Sequence, residues 1–277
     1  MEHRKSVMML VVTSILWSFG GIIIKSITWN SYAIIGLRSF FALFLLIPFV
    51  KRPRLPRSIY SVLAILCYVG LICTCVIATK LTTAANSILL QYTAPIYSLL
   101  FGYWIMREPI RRREVLAICF LLIGMVLFLY DVLSGGHMIG NLVALLSGVC
   151  YGLMGVFMRR DPSGDPVQNV VWGNIIAFVL MLPFMQNLEI TQVNVALIVV
   201  MGLLQLGLPY MLYSRAVKHV TSLEVTLITV LEPIMNPVWV LLINGEAPGP
   251  LALIGGAIVL GTVLLHETVP SKTKKTA

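Results

Sequence analysis

Apolar residues run along this chain in ten long segments, which short polar turns separate. The segments lie at approximately 7–26, 33–50, 58–79, 84–105, 113–131, 138–158, 168–186, 194–215, 223–243 and 249–266. A helix needs about 20 apolar residues to cross a hydrocarbon core, whereas barrel strands are about half as long and alternate in polarity. The pattern therefore predicts ten membrane helices, which we number span 1 to span 10.

Basic residues fall on one side of these spans when the N-terminus is placed in the cytoplasm. Inner segments then carry 17 of the 20 Lys and Arg residues, while Lys25 and Lys80 lie at outer ends and Arg38 lies inside span 2. Because cytoplasmic loops are enriched in basic residues, we predict that both termini are cytoplasmic, in the cytoplasmic (inner) membrane. Span 1 is interpreted as a membrane helix rather than a signal peptide, because it is long and lacks a clear cleavage site.

The two halves of the sequence resemble each other at a nearly constant spacing. At an offset of 138, the matching pairs are Thr83 and Thr221, Leu89 and Leu227, Pro95 and Pro233, and Glu108 and Glu246. Likewise LWSFGG at 16–21 aligns with CYGLMG at 150–155, and PF at 48–49 aligns with PF at 183–184. Repeats of five helices insert in opposite orientations, which is typical of secondary transporters.

The predicted fold is therefore an all-α polytopic membrane protein with ten transmembrane helices in two inverted five-helix repeats. The first repeat is predicted at 1–131, the second at 138–266, and a basic cytoplasmic tail at 267–277.

Composition narrows the function classes. Hydrophobic residues make up 58% of the 277 residues and charged residues only 11%, which excludes a typical soluble enzyme, a disordered protein and a disulfide scaffold. The net charge of +9 is explained by topology rather than by nucleic-acid binding. The five cysteines lie in apolar runs and the four histidines are scattered, so we expect neither a metal nor a cofactor. The sequence contains no nucleotide-binding motif and no clustered catalytic set.

Two prolines lie near the centres of spans 4 and 9. Pro95 and Pro233 each remove a backbone donor and release a carbonyl four residues earlier, at Gln91 and Thr229. Broken helices at the repeat interface are where transporters bind their solutes. A packing kink is the alternative interpretation.

Polar residues form a stripe at equivalent positions of these two spans. Span 9 presents Thr229, Glu232, Asn236 and Trp239 on one face, and span 4 presents Gln91, Ala94, Ser98 and Phe101. Glu232 lies near the bilayer centre, where an ionised carboxylate is costly. We interpret it either as a proton carrier or partner for a cationic solute group, or as a neutral structural residue beside the proline.

Aromatic and polar residues of other spans complete the predicted cavity. Trp17 and Tyr151 occupy equivalent positions in spans 1 and 6, Ser14 shares the face of Trp17, and Gln205 aligns with Tyr213 on span 8. The predicted cavity residues are Ser14, Trp17, Gln91, Ser98, Tyr151, Gln205, Tyr213, Thr229, Glu232, Asn236 and Trp239, with Pro95 and Pro233 as helix kinks. For Arg38 we favour snorkelling or a structural partner over contact with a solute carboxylate.

These motifs resemble the EamA family of the drug/metabolite transporter superfamily. The resemblance rests on LWSFGG at 16–21, LR at 37–38, AANSILL at 84–90, API at 94–96, YSRA at 213–216, LEP at 231–233 and NGE at 244–246. It implies two five-helix repeats around a central cavity and alternating access for a small organic solute, often an amino acid or a related metabolite.

The sequence thus predicts a secondary transporter of a small organic metabolite, with proton coupling through Glu232 as a hypothesis. One alternative is an importer of a cationic or quaternary-ammonium solute such as choline, and another is a membrane sensor or scaffold that does not transport. The expected partners are the solute, the lipid bilayer and protons. Small residues in span 10 also allow a homodimer through spans 5 and 10.

Overall fold

A computed structural model gives the architecture of residues 2–50, 55–82, 84–130, 138–161, 165–186, 188–235 and 250–268. All regular structure in these ranges is helical. The helices are α1 Glu2–Trp17, α2 Gly20–Ser26, α3 Ser31–Leu46, α4 Ile59–Leu81, α5 Ala84–Gln91, α6 Ala94–Met106, α7 Arg112–Leu129, α8 Met138–Arg160, α9 Pro166–Met181, α10 Gln192–Val200, α11 Leu208–Ala216, α12 Ser222–Thr229, α13 (231–235 of the described residues) and α14 Pro250–Thr268. Short 3₁₀ turns at Ile47–Phe49 and Leu182–Phe184 extend α3 and α9, and the π-helical segment Met201–Gly207 joins α10 to α11.

Six helical stretches within the described ranges are long and apolar enough to cross a membrane. They are Glu2–Ser26, Ser31–Phe49, Ile59–Leu81, Met138–Arg160, Pro166–Phe184 and Gln192–Ala216. These stretches correspond to predicted spans 1, 2, 3, 6, 7 and 8. Spans 4 and 9 are divided into shorter helices, and most of the second half of span 9 lies outside the described residues.

Equivalent helices of the two halves have matching bounds. Helix α9 repeats α3 at an offset of 135 residues, and the 3₁₀ turn that follows each helix is repeated at the same offset. Helix α12 repeats α5 at an offset of 138 residues. These are the offsets at which the sequence motifs align, so the internal similarity extends to the lengths of the helices.

Within the residues that the structure describes, four of the predicted spans are not continuous α-helices. Span 1, predicted as one helix, breaks between α1 and α2 at 18–19, and span 8 contains the π-helical segment. Spans 4 and 9 break at 92–93 and at 230, one turn before Pro95 and Pro233 respectively. These are the positions at which the two prolines predict a disturbance of the helix. The interruptions in spans 1 and 8 were not predicted. The break in span 1 has no proline near it, whereas Pro209 follows the π-helical segment of span 8 by two residues.

Glycines allow the interrupted spans to pack closely on their neighbours. A Cβ atom at Gly148 of α8 would lie 2.8 Å from the carbonyl oxygen of Gln91, and one at Gly152 would lie 2.8 Å from that of Ala94. A Cβ atom at Gly202, in the π-helical segment, would lie 2.8 Å from the carbonyl oxygen of Arg38. Small residues permit this backbone approach, which brings the interruptions together around the centre of the bundle.

Candidate functional site

A small cavity lies where the interrupted helices meet. It is lined by Trp17, Arg38, Leu71, Ile72, Cys75, Gln91, Tyr151, Gln205, Leu206, Tyr210 and Glu232. Trp17 and Gln91 end the helices before the first two breaks, Gln205 and Leu206 lie in the π-helical segment, and Glu232 follows the break at 230. Each interruption therefore contributes at least one side chain to the same cavity.

The cavity has a volume of about 40 Å³. A water molecule has a share of liquid volume of about 30 Å³, whereas ligand pockets usually enclose at least about 300 Å³. The cavity as it stands holds water-sized molecules only. Admission of a metabolite would require the helices around it to separate.

Arg38 is the cationic side chain of this cavity. Only 2% of the residue is exposed, and its Nη2 atom donates a hydrogen bond of 2.6 Å to the carbonyl oxygen of Ile72 on α4. The side chain therefore does not snorkel, and that interpretation of the sequence was wrong. The alternative of a structural partner is correct, because the Ile72 carbonyl orients the guanidinium. Arg38 also lines the cavity, which sequence reasoning did not include among the predicted site residues.

Glu232 is the acidic side chain of the same cavity, and Tyr92 binds it from the other repeat. The Tyr92 hydroxyl lies 2.7 Å from Oε2 of Glu232 and 2.6 Å from the carbonyl oxygen of Thr229. That carbonyl is the one that Pro233 was predicted to release. Tyr92, at the break in span 4, thus contacts two acceptors beside the break in span 9.

The hydrogen bonding between Tyr92 and Glu232 depends on whether Glu232 is protonated. A tyrosine hydroxyl has one proton to donate and a backbone carbonyl can only accept. When Glu232 is ionised, Tyr92 has two acceptors for one proton. When Glu232 is protonated, its carboxyl donates to Tyr92, and Tyr92 donates to Thr229. All three groups are then hydrogen-bonded, so protonation of Glu232 completes the link between the two breaks.

Aromatic rings form part of the cavity lining. The ring centre of Trp17 lies 4.9 Å from that of Tyr210, 5.9 Å from that of Tyr213 and 6.0 Å from that of Tyr151. The hydroxyl of Tyr151 donates to Oγ1 of Thr229, which itself donates to a carbonyl of its own helix. The aromatic cluster therefore forms one wall of the cavity, and the hydrogen bond from Tyr151 fixes the end of α12.

Two glutamines complete the polar lining. Oε1 of Gln91 accepts a hydrogen bond of 2.8 Å from the hydroxyl of Ser147 on α8. The side chain of Gln205 lies against Gly20, where an added Cβ would be 2.5 Å from its Nε2 atom. Gly20 is therefore the residue that lets the π-helical segment approach the break in span 1.

The predicted cavity residues divide into four groups. Trp17, Gln91, Tyr151, Gln205 and Glu232 line the cavity. Ser14, Tyr213 and Thr229 are buried behind these residues, and the hydroxyl of Ser14 donates to the Leu10 carbonyl at 2.7 Å. Ser98 lies elsewhere, where its hydroxyl meets the Gly152 carbonyl at 3.4 Å in the contact between α6 and α8. Asn236 and Trp239 lie outside the described residues.

Besides Arg38, the predicted set omitted Tyr92, which contacts Glu232, and the lining residues Leu71, Ile72, Cys75, Leu206 and Tyr210. Tyr92 is a fully buried aromatic residue, which hydropathy alone does not distinguish from core. Its position directly after Gln91, at the predicted proline break, is the signal that could have identified it. Cys75 lies in an uninterrupted apolar helix and carries no such signal.

A polar network joins the ends of α6, α8 and α11. Glu108, which follows α6, forms an ion pair with Arg159 of α8, and both side chains are about four-fifths buried. Burial raises the pKa of Glu108, although the nearby Arg159 opposes the rise. Lys218 donates to the Asp161 carbonyl at 2.7 Å and to that of Arg159 at 3.3 Å, and burial lowers its pKa. This network ties the two repeats together at one end of the bundle.

Comparisons with known proteins agree on the type of protein. The sequence profile of the EamA-like transporter family matches residues 4–130 and again residues 138–267. An uncharacterized transporter of Archaeoglobus fulgidus is 24% identical over 267 residues, which cover 92% of this chain and 94% of that protein. A protein of Salmonella typhimurium named a probable amino-acid metabolite efflux pump is 21% identical over 287 residues, with 95% of each chain covered. A crystal structure with 17% sequence identity superimposes with a TM-score of 0.80 over 95% of this chain and 97% of its own, which shows a shared fold.

Proposed function

This multi-pass membrane protein belongs to the EamA-like transporter family, and we propose that it is a secondary transporter of a small metabolite that carries both a carboxylate and an amine. The observation that carries the proposal is the presence of Arg38 and Glu232 in one buried cavity. Buried charges inside a membrane are costly and usually serve function. Arg38 is the proposed partner of the carboxylate, and Glu232 of the amine.

The proposed solute class is an amino acid or a related metabolite. A guanidinium matches the planar geometry of a carboxylate, and an ionised glutamate attracts an ammonium group. The rings of Trp17, Tyr151 and Tyr210 offer apolar surface to a side chain between these two ends. The name of the Salmonella relative refers to an amino-acid metabolite, which supports the same class.

Alternating access is the proposed mechanism. The cavity is too small for a metabolite in this conformation, and the breaks at 92–93 and 230 lie beside it. Transporters built from inverted repeats bind their solute at broken helices and move one part of the bundle against the other around that site. Separation of α5 and α6 from α12 and α13 would enlarge the cavity and part Tyr92 from Glu232.

Proton coupling follows from that separation. The link between Tyr92, Glu232 and Thr229 is complete only when Glu232 carries a proton. When the link opens, Glu232 is available to lose the proton and bind the solute amine. Solute and proton would then compete for Glu232, which produces proton-solute exchange.

The topology proposed with this function is the one that the sequence predicts. Ten spans in two inverted repeats, with boundaries at 1–131 and 138–266, place both termini and the 267–277 tail in the cytoplasm. The proposed membrane is the cytoplasmic (inner) membrane. Asn236 and Trp239, which lie outside the described residues, remain proposed cavity residues, and Ser14, Thr229 and Tyr213 are proposed to support the lining from behind.

Solute counterflow in proteoliposomes tests the function directly. The purified protein is reconstituted with one unlabelled solute inside, and uptake of the labelled solute is measured over a panel of zwitterions, organic cations and organic anions. We expect counterflow of zwitterionic amino-acid metabolites that a pH gradient accelerates. A panel in which only choline-like cations move would identify the quaternary-ammonium importer instead. A panel without any flux would favour a sensor or scaffold.

A further inference from the structure

Spans 1 and 8, one from each repeat, lie side by side between the central cavity and one end of the bundle. Trp17 and Gln205 line the cavity, and Gly20 lies against Gln205 one turn further along span 1. At the end of this seam, Nδ2 of Asn194 donates a hydrogen bond of 2.9 Å to Oγ1 of Thr28. A contact between the two repeats therefore closes the seam where it reaches the surface.

Spans 3 and 6 form a second seam between the two repeats. Cys75 of span 3 and Tyr151 of span 6 line the cavity. At the end of this seam, the hydroxyl of Ser61 donates a hydrogen bond of 2.7 Å to Oδ2 of Asp161. A side-chain contact between the repeats again closes the path from the surface to the cavity.

The two closing contacts occupy equivalent positions of the repeats. Ser61 and Asn194 are each the third residue of their helix, α4 and α10 respectively. Thr28 and Asp161 follow the ends of α2 and α8 by no more than two residues. Because the repeats are inverted in the proposed topology, equivalent positions lie at opposite ends of the bundle. One contact is therefore at the outer end and the other at the inner end.

A lysine of the same repeat also binds each closing loop. Nζ of Lys80 donates at 2.7 Å to the carbonyl oxygen of Ile27, and Nζ of Lys218 donates at 2.7 Å to that of Asp161. The two lysines and the two acceptors match at the offsets of 138 and 134 at which the repeats align. These contacts lie within one repeat and persist when the repeats separate, so only the contacts between the repeats have to break.

Each seam has a second contact on the far side of the cavity. In the first seam, Oγ1 of Thr13 donates at 3.2 Å to the carbonyl oxygen of Pro209. In the second seam, Oγ1 of Thr82 donates at 3.0 Å to Oδ1 of Asn141. Each seam can thus open as a wedge from its closing contact to the cavity while its far end stays packed.

We propose that the contact of Thr28 with Asn194 is the outer gate of the transport path, that the contact of Ser61 with Asp161 is the inner gate, and that one opens at a time. The proposal rests on the proposed function and its topology. Both contacts are present in this structure, in which the cavity is too small for a metabolite.

Cys75 provides the measurement, because it is the one cysteine among the five, all of which the structure describes, that lines the cavity. A membrane-impermeant, cationic methanethiosulfonate is larger than the closed cavity, so we expect Cys75 to react only after a gate opens. The reagent is added to right-side-out and to inverted membrane vesicles that contain the full-length protein. Mass spectrometry follows the modified fraction of Cys75 with time.

One variant weakens each gate. Thr28→Val removes the acceptor at nearly constant shape, and we expect Cys75 to react about fivefold faster in right-side-out vesicles only, since one hydrogen bond changes an equilibrium by about this factor. Ser61→Ala removes the donor of the inner gate and should accelerate the reaction in inverted vesicles only. A one-sided change distinguishes a gate from a residue that merely stabilises the fold, whose loss would loosen both ends.

A second variant at each gate keeps the test decisive if the first does not fold. Trp29→Phe removes an Nε1 donor that binds a backbone carbonyl between spans 7 and 8 at 2.7 Å, and it should act as Thr28→Val does. Tyr60→Leu removes the ring that lies 5.2 Å from the guanidinium of Arg160, and it should act as Ser61→Ala does. The matched controls are Thr262→Val and Ser26→Ala, whose hydroxyls donate within their own helices.

Acceleration in both kinds of vesicle, acceleration on the same side by both gate variants, or unchanged rates in all four variants would each overturn the gates. Solute counterflow separates this result from the proposed function. Flux together with unchanged labelling would leave a transporter whose gates lie elsewhere. One-sided labelling at opposite sides without any flux would support the gates and show that the solute is absent from the panel.

Discussion

The two repeats share a scaffold but carry their cavity charges at different places. Helices α3 and α9 have the same length, yet the position of Arg38 in α3 corresponds to Gly173 in α9. A Cβ atom at Gly173 would lie only 2.3 Å from the ring of Tyr68, so an aromatic ring occupies the space that a side chain would need. In spans 4 and 9 the charged residue belongs to the second repeat instead, because Ala94 of the first repeat corresponds to Glu232 of the second.

The difference shows how a pseudo-symmetric bundle can form an asymmetric cavity. The first repeat supplies the cation and the second supplies the anion, while the paired helix breaks bring both into one place. The two backbone carbonyls that the prolines release also have different surroundings. That of Gln91 lies against Gly148, whereas that of Thr229 accepts from Tyr92. Such a cavity matches a solute with two unlike ends, as proposed above.

The strongest test of the asymmetry is Glu232→Gln. This change keeps the shape of the side chain but removes the charge and the exchangeable proton. Because a hydrogen bond to a charged group contributes about 1.5–3 kcal/mol, solute affinity should fall roughly tenfold to a hundredfold and the response to a pH gradient should disappear. Uptake in proteoliposomes at several pH values measures both effects. Glu189→Gln removes an exposed loop carboxylate and serves as the control. Wild-type pH dependence in Glu232→Gln would contradict proton coupling through this residue.

Arg38→Gln tests the other end of the proposed solute. We expect carboxylate-bearing solutes to lose about tenfold or more in affinity, with less effect on uncharged analogues, because the lost contact is specific to the carboxylate. Competition assays with an amino acid and its amide measure the difference. Arg215→Gln, at an exposed arginine that lies over the Phe49 ring, is the matched control. Equal losses for the acid and the amide would assign Arg38 a purely structural role through Ile72.

Tyr92→Phe tests the link between the two breaks. The change removes one hydroxyl and leaves the ring, so the carbonyl of Thr229 and the carboxyl of Glu232 lose their shared partner. Leaving a buried polar group unsatisfied costs about 1–3 kcal/mol, which should appear as a lower free energy of unfolding in detergent. The pH dependence of uptake should shift with it. Tyr103→Phe, at a half-exposed tyrosine, should change neither quantity. If the pH profile of uptake is unchanged in Tyr92→Phe, Tyr92 has no role in proton coupling.

The smallest expected effect concerns Glu108, a carboxylate outside the cavity. Its pKa is raised above the ordinary value of 4.5 by burial, so the folded protein binds this proton more tightly than the unfolded chain. The contribution to stability is therefore complete below pH 4.5 and is lost as the pH rises through the folded pKa. Thermal unfolding across this range should show a slightly steeper fall of stability in the wild type than in Glu108→Gln. Identical slopes would show that the Arg159 ion pair balances burial, and a shallower fall in the wild type would show that it outweighs burial.

Several features of the fold were predictable because they depend on local sequence. Backbone groups in lipid must be satisfied within each helix, so apolar length identifies helical segments in this chain. The proline positions predicted the breaks in spans 4 and 9, since proline removes a helical hydrogen bond wherever it stands. The repeat offsets followed from the PF pairs at 48–49 and 183–184 and from single matches such as Pro95 with Pro233. The interruption at 18–19 carries no comparable signal. The π-helical segment is followed by Pro209, but this proline was not used to predict an interruption.

The candidate site was predictable only in part. Glu232 and Gln91 were identified because polar residues are rare in an apolar span, and Trp17 and Tyr151 because they occupy equivalent positions. Ser98 satisfied the same spacing rule but faces the contact between α6 and α8. Helical spacing shows which residues share a face, but it does not show what that face meets.

By itself, the sequence determined the helical segments, their turns, the repeat offsets and the likeness to a transporter family. Each of these properties depends either on residues that are close together in the sequence or on a match between the two halves of the chain. Only the tertiary structure decided that Arg38 and Glu232 share a cavity and that Tyr92 reaches across 140 positions of sequence to bind Glu232. Association of membrane helices depends on close packing at small residues such as Gly148 and Gly202, and apolar faces look alike in the sequence until that packing selects among them.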